Sequence, residues 1–230
     1  MGRRRKQVLE DVTILDIADK GQALARVNEM VVFVTGVVPG DVCDIQIKRK
    51  RKNYAEGYVL KIKELSPIRI DAKCKYFGVC GGCKWQHLGY EKQLEFKNKQ
   101  VGDALQRIGK VKVDAFEPIL GSANVFEYRN KLEFSFSHRR WLTQEEVDSG
   151  QVFDDVPSLG FHVPGRWDKV LDVKECHLMA EPSNAVRNRV RDIALANEFS
   201  YYNLNEQTGF LRNLIVRSTM TGEWMVILSV

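Results

Sequence analysis

Residues 74–83, with the sequence CKYFGVCGGC, place three cysteines in a C-x5-C-x2-C pattern: Cys74, Cys80 and Cys83. Three thiols so close together, in a chain without a secretion signal, are typical of metal ligands rather than of disulfides. The glycines between them allow the backbone to wrap closely around a bulky centre and to turn its amides towards it. The segment therefore predicts a metal centre.

A fourth ligand is needed, because structural zinc and cubane iron–sulfur clusters both bind four protein groups. Cys176 is the remaining candidate, since Cys43 lies on a predicted strand and is interpreted as a buried core thiol. Three close ligands and one distant ligand are typical of a [4Fe–4S] cluster, whereas zinc ligands usually come as two close pairs. The alternatives are a zinc site, which His87 or His177 could join, and no metal at all.

The residues that precede this segment predict a small all-β domain over residues 7–66. Residues 43–48 alternate strictly between apolar and polar side chains, as a half-buried strand does. Turn residues such as Pro-Gly-Asp at 39–41 separate this stretch from others with the same period. Five short strands in about sixty residues predict an OB-like barrel.

A run of five basic residues falls in the loop that joins the last two predicted strands: Lys48, Arg49, Lys50, Arg51 and Lys52. Tyr54 follows it, and basic residues beside an aromatic ring are typical of surfaces that bind single-stranded nucleic acid. Residues 1–6 form a second basic stretch, interpreted as an N-terminal tail. The net charge is only +5, from 35 Lys and Arg against 30 acids. The prediction of nucleic-acid binding therefore depends on where the basic residues lie. A solvated basic loop is the alternative.

The residues after the cysteine segment predict a second domain over residues 67–230. Apolar residues spaced by three and four predict helices over residues 88–108 and 182–198. Alternating stretches predict strands, with Phe134 and Phe136 directed into the core. The fold class predicted for the whole chain is mainly β with α, an α+β arrangement.

The composition excludes two classes of protein. Hydrophobic residues make up 44% of the chain, which is enough to build a core and excludes a disordered chain. No stretch approaches the ~18 consecutive apolar residues of a membrane-spanning helix. We expect a cytoplasmic monomer without a membrane partner. Residues 224–230 form an apolar strand without a polar tail, so we expect the front part of a longer protein.

Residues 74–87, followed by a long helix and by Lys-Glu-Cys at 174–176, resemble the iron–sulfur RNA uracil-5 methyltransferases. Within that family they are most similar to the bacterial 23S rRNA enzymes of the RumA type. The predicted barrel resembles their TRAM domain, an RNA-binding module. Residues 126–131, FEYRNK, resemble the motif that opens their central domain.

The resemblance implies S-adenosylmethionine-dependent transfer of a methyl group to C5 of a uridine in RNA, with 23S rRNA favoured over tRNA. In such a reaction a cysteine adds to C6, C5 takes the methyl group, and a base removes the C5 proton. The resemblance also implies a [4Fe–4S] cluster in the central domain. It places Arg129 and Lys131 near the RNA, although Lys131 could equally lie on the solvent face of a strand.

The sequence departs from the family in one respect. It shows no glycine-rich turn between a strand and a helix outside the cysteine segment, and no spare cysteine for addition to C6. We therefore expect the RNA-recognition part of the enzyme, inactive by itself, without catalytic residues and without a Rossmann-like methyltransferase domain. The helix at 88–108, with Phe96 off its apolar stripe, would then pack on the absent domain. One alternative is a stand-alone RNA-binding iron–sulfur or zinc protein. Another is an electron carrier, although the basic loop argues against it.

Overall fold

The computed structural model describes residues 7–115, 117–153 and 156–230, except for the side chain of Trp167. The contacts of these described residues form two units, one of residues up to 73 together with 84–122 and the other of residues 74–83 and 123–230. The chain thus enters the second unit for the cysteine segment, returns to the first, and leaves it again. This division differs from the contiguous predicted domains 7–66 and 67–230. The predicted basic tail at residues 1–6 lies outside the described residues.

The first unit contains a six-stranded sheet with the order β1-β5-β6-β4-β3-β2. Its strands are β1 (Val8–Thr13), β2 (Asp16–Ile17), β3 (Ala23–Val27), β4 (Met30–Thr35), β5 (Val42–Lys50) and β6 (Tyr54–Glu64). Strand β4 pairs with β6 in parallel, and the other neighbours are antiparallel. Alternating side chains fill one interior: Val12, Ile14, Ala23, Ala25, Val32, Val34, Val37, Cys43, Ile45, Ile47 and Ala55.

The predicted strand count is wrong, because the first predicted strand is two strands. The Ile14 amide donates to Asp41 O and the Leu15 amide donates to Leu24 O, both at 2.9 Å, so the chain changes partner between them. A bulge between Leu9 and Val12, where Asp11 has a φ of 54°, bends the first part further. Sheet predominates over helix among the described residues.

Helix α1 (Tyr90–Asp103) continues into one wider turn at Ala104–Ile108, close to the predicted range. Its predicted apolar stripe is not the packed face, since Val101 is 53% exposed and Ile108 is 83% exposed. Phe96, expected to be free for docking, instead packs against the buried cluster of Ile17, Val38 and Leu88 within the same unit. Hydrophobic spacing located the helix but not its partner.

The second unit contains a five-stranded antiparallel sheet with the order β11-β10-β7-β8-β9. Its elements are β7 (Lys131–Ser137), α2 (Gln144–Asp148), β8 (Ser158–Val163), β9 (Arg166–Asp172), α3 (Ser183–Ala196), β10 (Asn213–Ser218) and β11 (Trp224–Ser229). Phe134 and Phe136 lie in its core, as predicted. Within the described ranges, no helix is long and apolar enough to span a membrane.

A buried arginine on α3 binds two strands of this sheet. Arg187 is 1% exposed, its Nε donates to Leu159 O at 3.1 Å, and its guanidinium forms an ion pair with Asp172. A guanidinium taken out of water needs such partners, because an unpaired buried charge is strongly destabilising. The contact therefore determines how α3 and the loop before it sit on the sheet.

Candidate metal centre and nucleic-acid surface

The cysteine segment folds as a series of tight turns within the second unit. The Phe77 amide donates to Cys74 O at 3.0 Å, and the Cys80 amide donates to Tyr76 O at 2.8 Å. Gly81 donates to His162 O, and a Cβ at Gly81 would lie 2.9 Å from that same oxygen. Glycine at this position therefore allows the segment to approach β8 closely.

Cys176 reaches the same unit from the loop between β9 and α3. Its amide donates to the Asn184 side chain on α3 at 2.8 Å, and the residue is only 7% exposed. Two residues earlier, the Lys174 amide donates to the Tyr76 hydroxyl at 3.1 Å. A side chain of the cysteine segment thus holds the loop that carries Cys176.

The four predicted ligands lie in one neighbourhood. The pKa of Cys176 is raised to about 11, mainly by burial, and the charges of Cys83, Cys80 and Cys74 contribute to this rise. Burial also raises the pKa of Cys74, to which Cys83 contributes. Cys80 and Cys83 pack against the core cluster that contains Cys176. The structure therefore gathers residues that are far apart in the sequence.

Backbone amides point at several of these sulfurs. The Gly82 amide donates to Cys80 Sγ at 3.4 Å. Amides of Tyr76 and Phe77 hydrogen-bond to Cys74, and the amide of Leu178 hydrogen-bonds to Cys176, and each of these lowers the pKa of its thiol. Such donors stabilise thiolate, the form that binds metals.

The described side chains show no ready-made site for a single metal ion. Within residues 7–115, 117–153 and 156–230, no three or more His, Cys, Asp or Glu side chains form a group that could hold a metal ion. His177 lies 3.8 Å from Glu175 and meets the Phe126 ring edge-on. His87 is buried in the first unit. The assignment of the four cysteines as ligands stays a prediction.

Cys43 is confirmed as a buried thiol of the barrel core. It is 0% exposed, and its Sγ lies 3.8 Å from Val12 O. Burial raises its pKa to about 11, and the neighbouring Asp41 and Asp44 add to the shift. A thiol of this kind is a poor nucleophile at neutral pH.

The basic run lies at the tip of the β5–β6 hairpin rather than entirely in a loop. Lys48, Arg49 and Lys50 end β5, and Arg51 and Lys52 belong to the turn before β6, with all five exposed. The Arg51 amide donates to Tyr54 O at 2.8 Å and closes the hairpin. The tip thus presents a dense set of cations to solvent.

Tyr54 is half-buried on the outer face of the barrel, where its ring meets Phe33 edge-on at 5.8 Å. The two rings come from the parallel strands β4 and β6. Sequence reasoning missed Phe33, although its buried neighbours Val32 and Val34 imply that it faces outwards. The aromatic surface beside the cations is therefore a pair of rings.

Arg129 and Lys131 lie in the second unit, at the start of β7. Both are exposed, and Lys131 forms an ion pair with Glu133 at 3.2 Å. The Arg129 amide donates to Leu178 O at 2.8 Å, which fixes the backbone two residues beyond Cys176. This placement suits RNA contact and a solvated strand face equally well, so their predicted role is untested.

Comparison with known proteins finds one domain family and several similar proteins. The TRAM domain family matches residues 5–60. An uncharacterized RNA methyltransferase of Bacteroides thetaiotaomicron is 53% identical over 211 residues, which is 92% of this chain and 46% of the relative. One from Porphyromonas gingivalis is 47% identical over 219 residues, or 93% of this chain and 47% of the relative.

One solved structure is similar in fold. The Pyrococcus abyssi tRNA (uracil-54, C5)-methyltransferase in complex with S-adenosyl-L-homocysteine matches with a TM-score of 0.62 at 24% identity. The match covers 94% of this chain and 45% of that one. At this identity the similarity establishes a shared fold.

The chain contains a TRAM domain and is similar over more than nine-tenths of its length to proteins named as RNA methyltransferases, which confirms the resemblance to TRAM-containing RNA methyltransferases. It spans about half the length of the curated relatives it matches. One expectation is corrected: proteins named as methyltransferases match more than nine-tenths of the chain, and this gives no support to the absence of a Rossmann-like methyltransferase domain.

Proposed function

We propose that this chain serves an enzyme that methylates C5 of a uridine in RNA with S-adenosylmethionine. The observation that carries the proposal is a TRAM barrel with a cationic hairpin tip in a chain 53% identical to an RNA methyltransferase. The similar fold of a protein named as a uracil C5 methyltransferase bound to S-adenosyl-L-homocysteine supports both the position on the base and the methyl donor.

In this proposal the barrel binds the RNA backbone. The cations Lys48 to Lys52 neutralise phosphates, and the paired rings of Tyr54 and Phe33 contact bases. Arg129 and Lys131 would hold RNA at the start of β7. Filter binding of RNA across a salt series tests this part, because phosphate contacts give a steep dependence of affinity on salt.

The methyl transfer itself needs a cysteine that adds to C6 of the uracil and leaves again after C5 has lost its proton. Cys43 is sealed in the barrel core and the other four cysteines gather in the second unit. We therefore expect the 230-residue chain alone to be inactive. Transfer of label from labelled S-adenosylmethionine to uridine C5 by this chain alone would contradict that expectation.

We also propose that Cys74, Cys80, Cys83 and Cys176 bind a [4Fe–4S] cluster. Their shared neighbourhood and the amides directed at their sulfurs fit such a group. Three close ligands with one distant ligand favour a cluster over zinc, because zinc ligands usually come as two close pairs. The cluster would supply a crosslink between two distant segments.

Metal analysis of anaerobically purified protein tests the cluster. We expect about four irons and a matching amount of acid-labile sulfide per chain. Stoichiometric zinc without iron, in protein produced with both metals supplied, would contradict the proposal. Variants of Cys43 serve as a control, since this thiol belongs to the other unit.

The substrate RNA is proposed as 23S rRNA, with tRNA as the competitor. The solved tRNA methyltransferase matches 94% of this chain, so the presence of a barrel does not argue against tRNA. Competition between a transcript of a uridine-rich 23S rRNA hairpin and a tRNA transcript, at one salt concentration, separates the two. A cytoplasmic, monomeric protein is part of the same proposal.

A further inference from the structure

A cavity of about 730 Å³ lies in the second unit, and its lining includes none of the residues assigned so far to RNA. Its walls come from the loop after β7, helix α2, strand β9 and residues 78–79 of the cysteine segment. Ligand pockets in proteins have volumes of about 300–1,000 Å³. The cavity is therefore large enough for a drug-sized molecule or for a nucleotide.

Two aromatic rings line this cavity. Trp141 packs against the core of the unit, and its amide donates to Val170 O at 2.7 Å. Phe153 stands under the guanidinium of Arg140, whose centre lies 5.0 Å from the ring centroid. Both rings are thus supported by other residues, and flat apolar walls of this kind are suited to the face of a base.

Arg140 is a positioning residue in this wall. Its two terminal nitrogens bind the two carboxylate oxygens of Glu146, each at 2.7 Å. The hydrogen bond from Arg140 lowers the pKa of Glu146 to about 2, so the pair stays ionised at neutral pH. Thr143 caps helix α2 and shares the same carboxylate. The network holds the guanidinium over Phe153.

Two further cations line the cavity, Arg139 and Lys169. Lys169 contacts Asp168 at 3.4 Å with about a third of its side chain exposed, an arrangement that contributes little to stability. Among the described residues, the lining contains three cations and no carboxylate. Asp154 and Asp155 lie between two lining residues in the sequence and outside the described part of the chain.

We propose that this cavity binds one nucleotide of single-stranded RNA, with the base between Trp141 and Phe153 and its phosphate at Arg139 and Lys169. The inference rests on the proposed function, since it requires that the chain binds RNA. It adds a contact in the second unit to those proposed at the cationic hairpin of the barrel and at the start of β7. Aromatic rings together with arginine and lysine are the residues with which proteins hold unpaired nucleotides.

Fluorescence anisotropy with a labelled 12-nucleotide single-stranded RNA tests the site, using the whole chain purified anaerobically. R139Q/K169Q should weaken binding about tenfold and should lower the slope of log affinity against log salt by about 0.7, the value for one phosphate of single-stranded RNA. F153L should weaken binding about fivefold without a change in that slope, because it removes stacking but no charge. R107Q/R189Q removes two exposed cations that do not line the cavity, and it should leave the binding at the cavity unchanged.

A second measurement keeps the inference falsifiable if F153L fails to fold. RNA carrying 4-thiouridine, crosslinked to the unaltered chain, should label peptides that contain Trp141 or Phe153. If the chain binds RNA but the cavity variants bind as the parent does and no crosslink falls there, this inference is overturned and the proposed function stands. If the unaltered chain binds no RNA, both are overturned together.

Discussion

The two units of this chain are stabilised in different ways. The barrel interior consists of buried apolar side chains and Cys43, and its buried carboxylate, Asp41, is hydrogen-bonded on both oxygens. The second unit places thiols and the buried Arg187 beside its apolar core. The first unit thus completes its core with its own residues, whereas the second gathers the four cysteines that are predicted to bind a metal.

The largest expected effect comes from breaking the second unit at Cys176. C176S should abolish iron binding and should lower the free energy of unfolding of this unit by about 4 kcal/mol, because the crosslink closes a loop of about ninety residues. Hydrogen exchange read separately for peptides of the two units, together with iron analysis, measures the change. Exchange in the barrel should stay as it is.

Cys43 provides the matched control, since it too is a buried cysteine. C43A should leave the iron content unchanged and should destabilise the barrel alone by about 1–2 kcal/mol, the usual cost of a small core cavity. If C176S keeps its iron and its stability, Cys176 is not a ligand and the contrast between the units disappears.

The next effect concerns Arg187. R187M removes the buried one of the two arginines that pair with Asp172, together with the donor to Leu159 O, and should destabilise the second unit by about 3 kcal/mol. R189M changes an exposed arginine on the same helix and should alter stability by less than about 0.5 kcal/mol. Denaturant titrations of the three proteins measure the difference. Equal midpoints for R187M and R189M would show that the buried ion pair contributes nothing.

Local patterns in the sequence predicted more of the barrel than of the second unit. Alternation located its strands and the burial of Cys43, since those features depend on neighbours within one strand. The break at Ile14 was missed, because a change of strand partner is decided by the sheet. The packed face of α1 was predicted wrongly for a similar reason, since the spacing of apolar residues does not specify which face of a helix contacts the rest of the protein.

The candidate site residues also differ in how far the sequence predicts them. The four cysteines could be chosen from residue type and spacing, and the structure brings them together. Arg187 and the nucleotide cavity could not be chosen, because their partners lie far along the chain and a buried arginine has no sequence signature. Residues with distinctive chemistry are predictable, and residues that function through tertiary neighbours are not.

We expect acid to destabilise the barrel through Asp41. Burial raises the pKa of Asp41, but hydrogen bonds from Arg69 and from the amides of Ser66 and Val38 outweigh it, so the pKa lies below the usual 3.8. Protons therefore bind the unfolded chain first. The stabilisation is complete above pH ~4 and is lost as the pH falls through the lower folded value.

D41N tests this assignment at the barrel. The variant should destabilise the barrel by about 2 kcal/mol at pH 7, because Arg69 loses its charged partner, and should respond less to acid than the parent. Hydrogen exchange of peptides from β5 at pH 7, 5, 4 and 3 follows the effect. Parallel pH profiles for D41N and the parent would assign the acid sensitivity to other carboxylates.

The smallest expected effect concerns which unit carries the RNA contacts. K48A/K50A/K52A removes three exposed lysines of the hairpin tip and should flatten the slope of log affinity against log salt by about 0.7 for each phosphate of single-stranded RNA that is no longer neutralised. K61A/K110A/K112A removes the same charge from exposed lysines of the same unit outside the tip, so it controls for net charge. If both triple variants change the slope equally, the effect is one of net charge alone, and the tip does not bind RNA specifically. If only the tip variant does, the barrel holds phosphates through this hairpin, and the slope that remains measures the contribution of the rest of the RNA-binding surface.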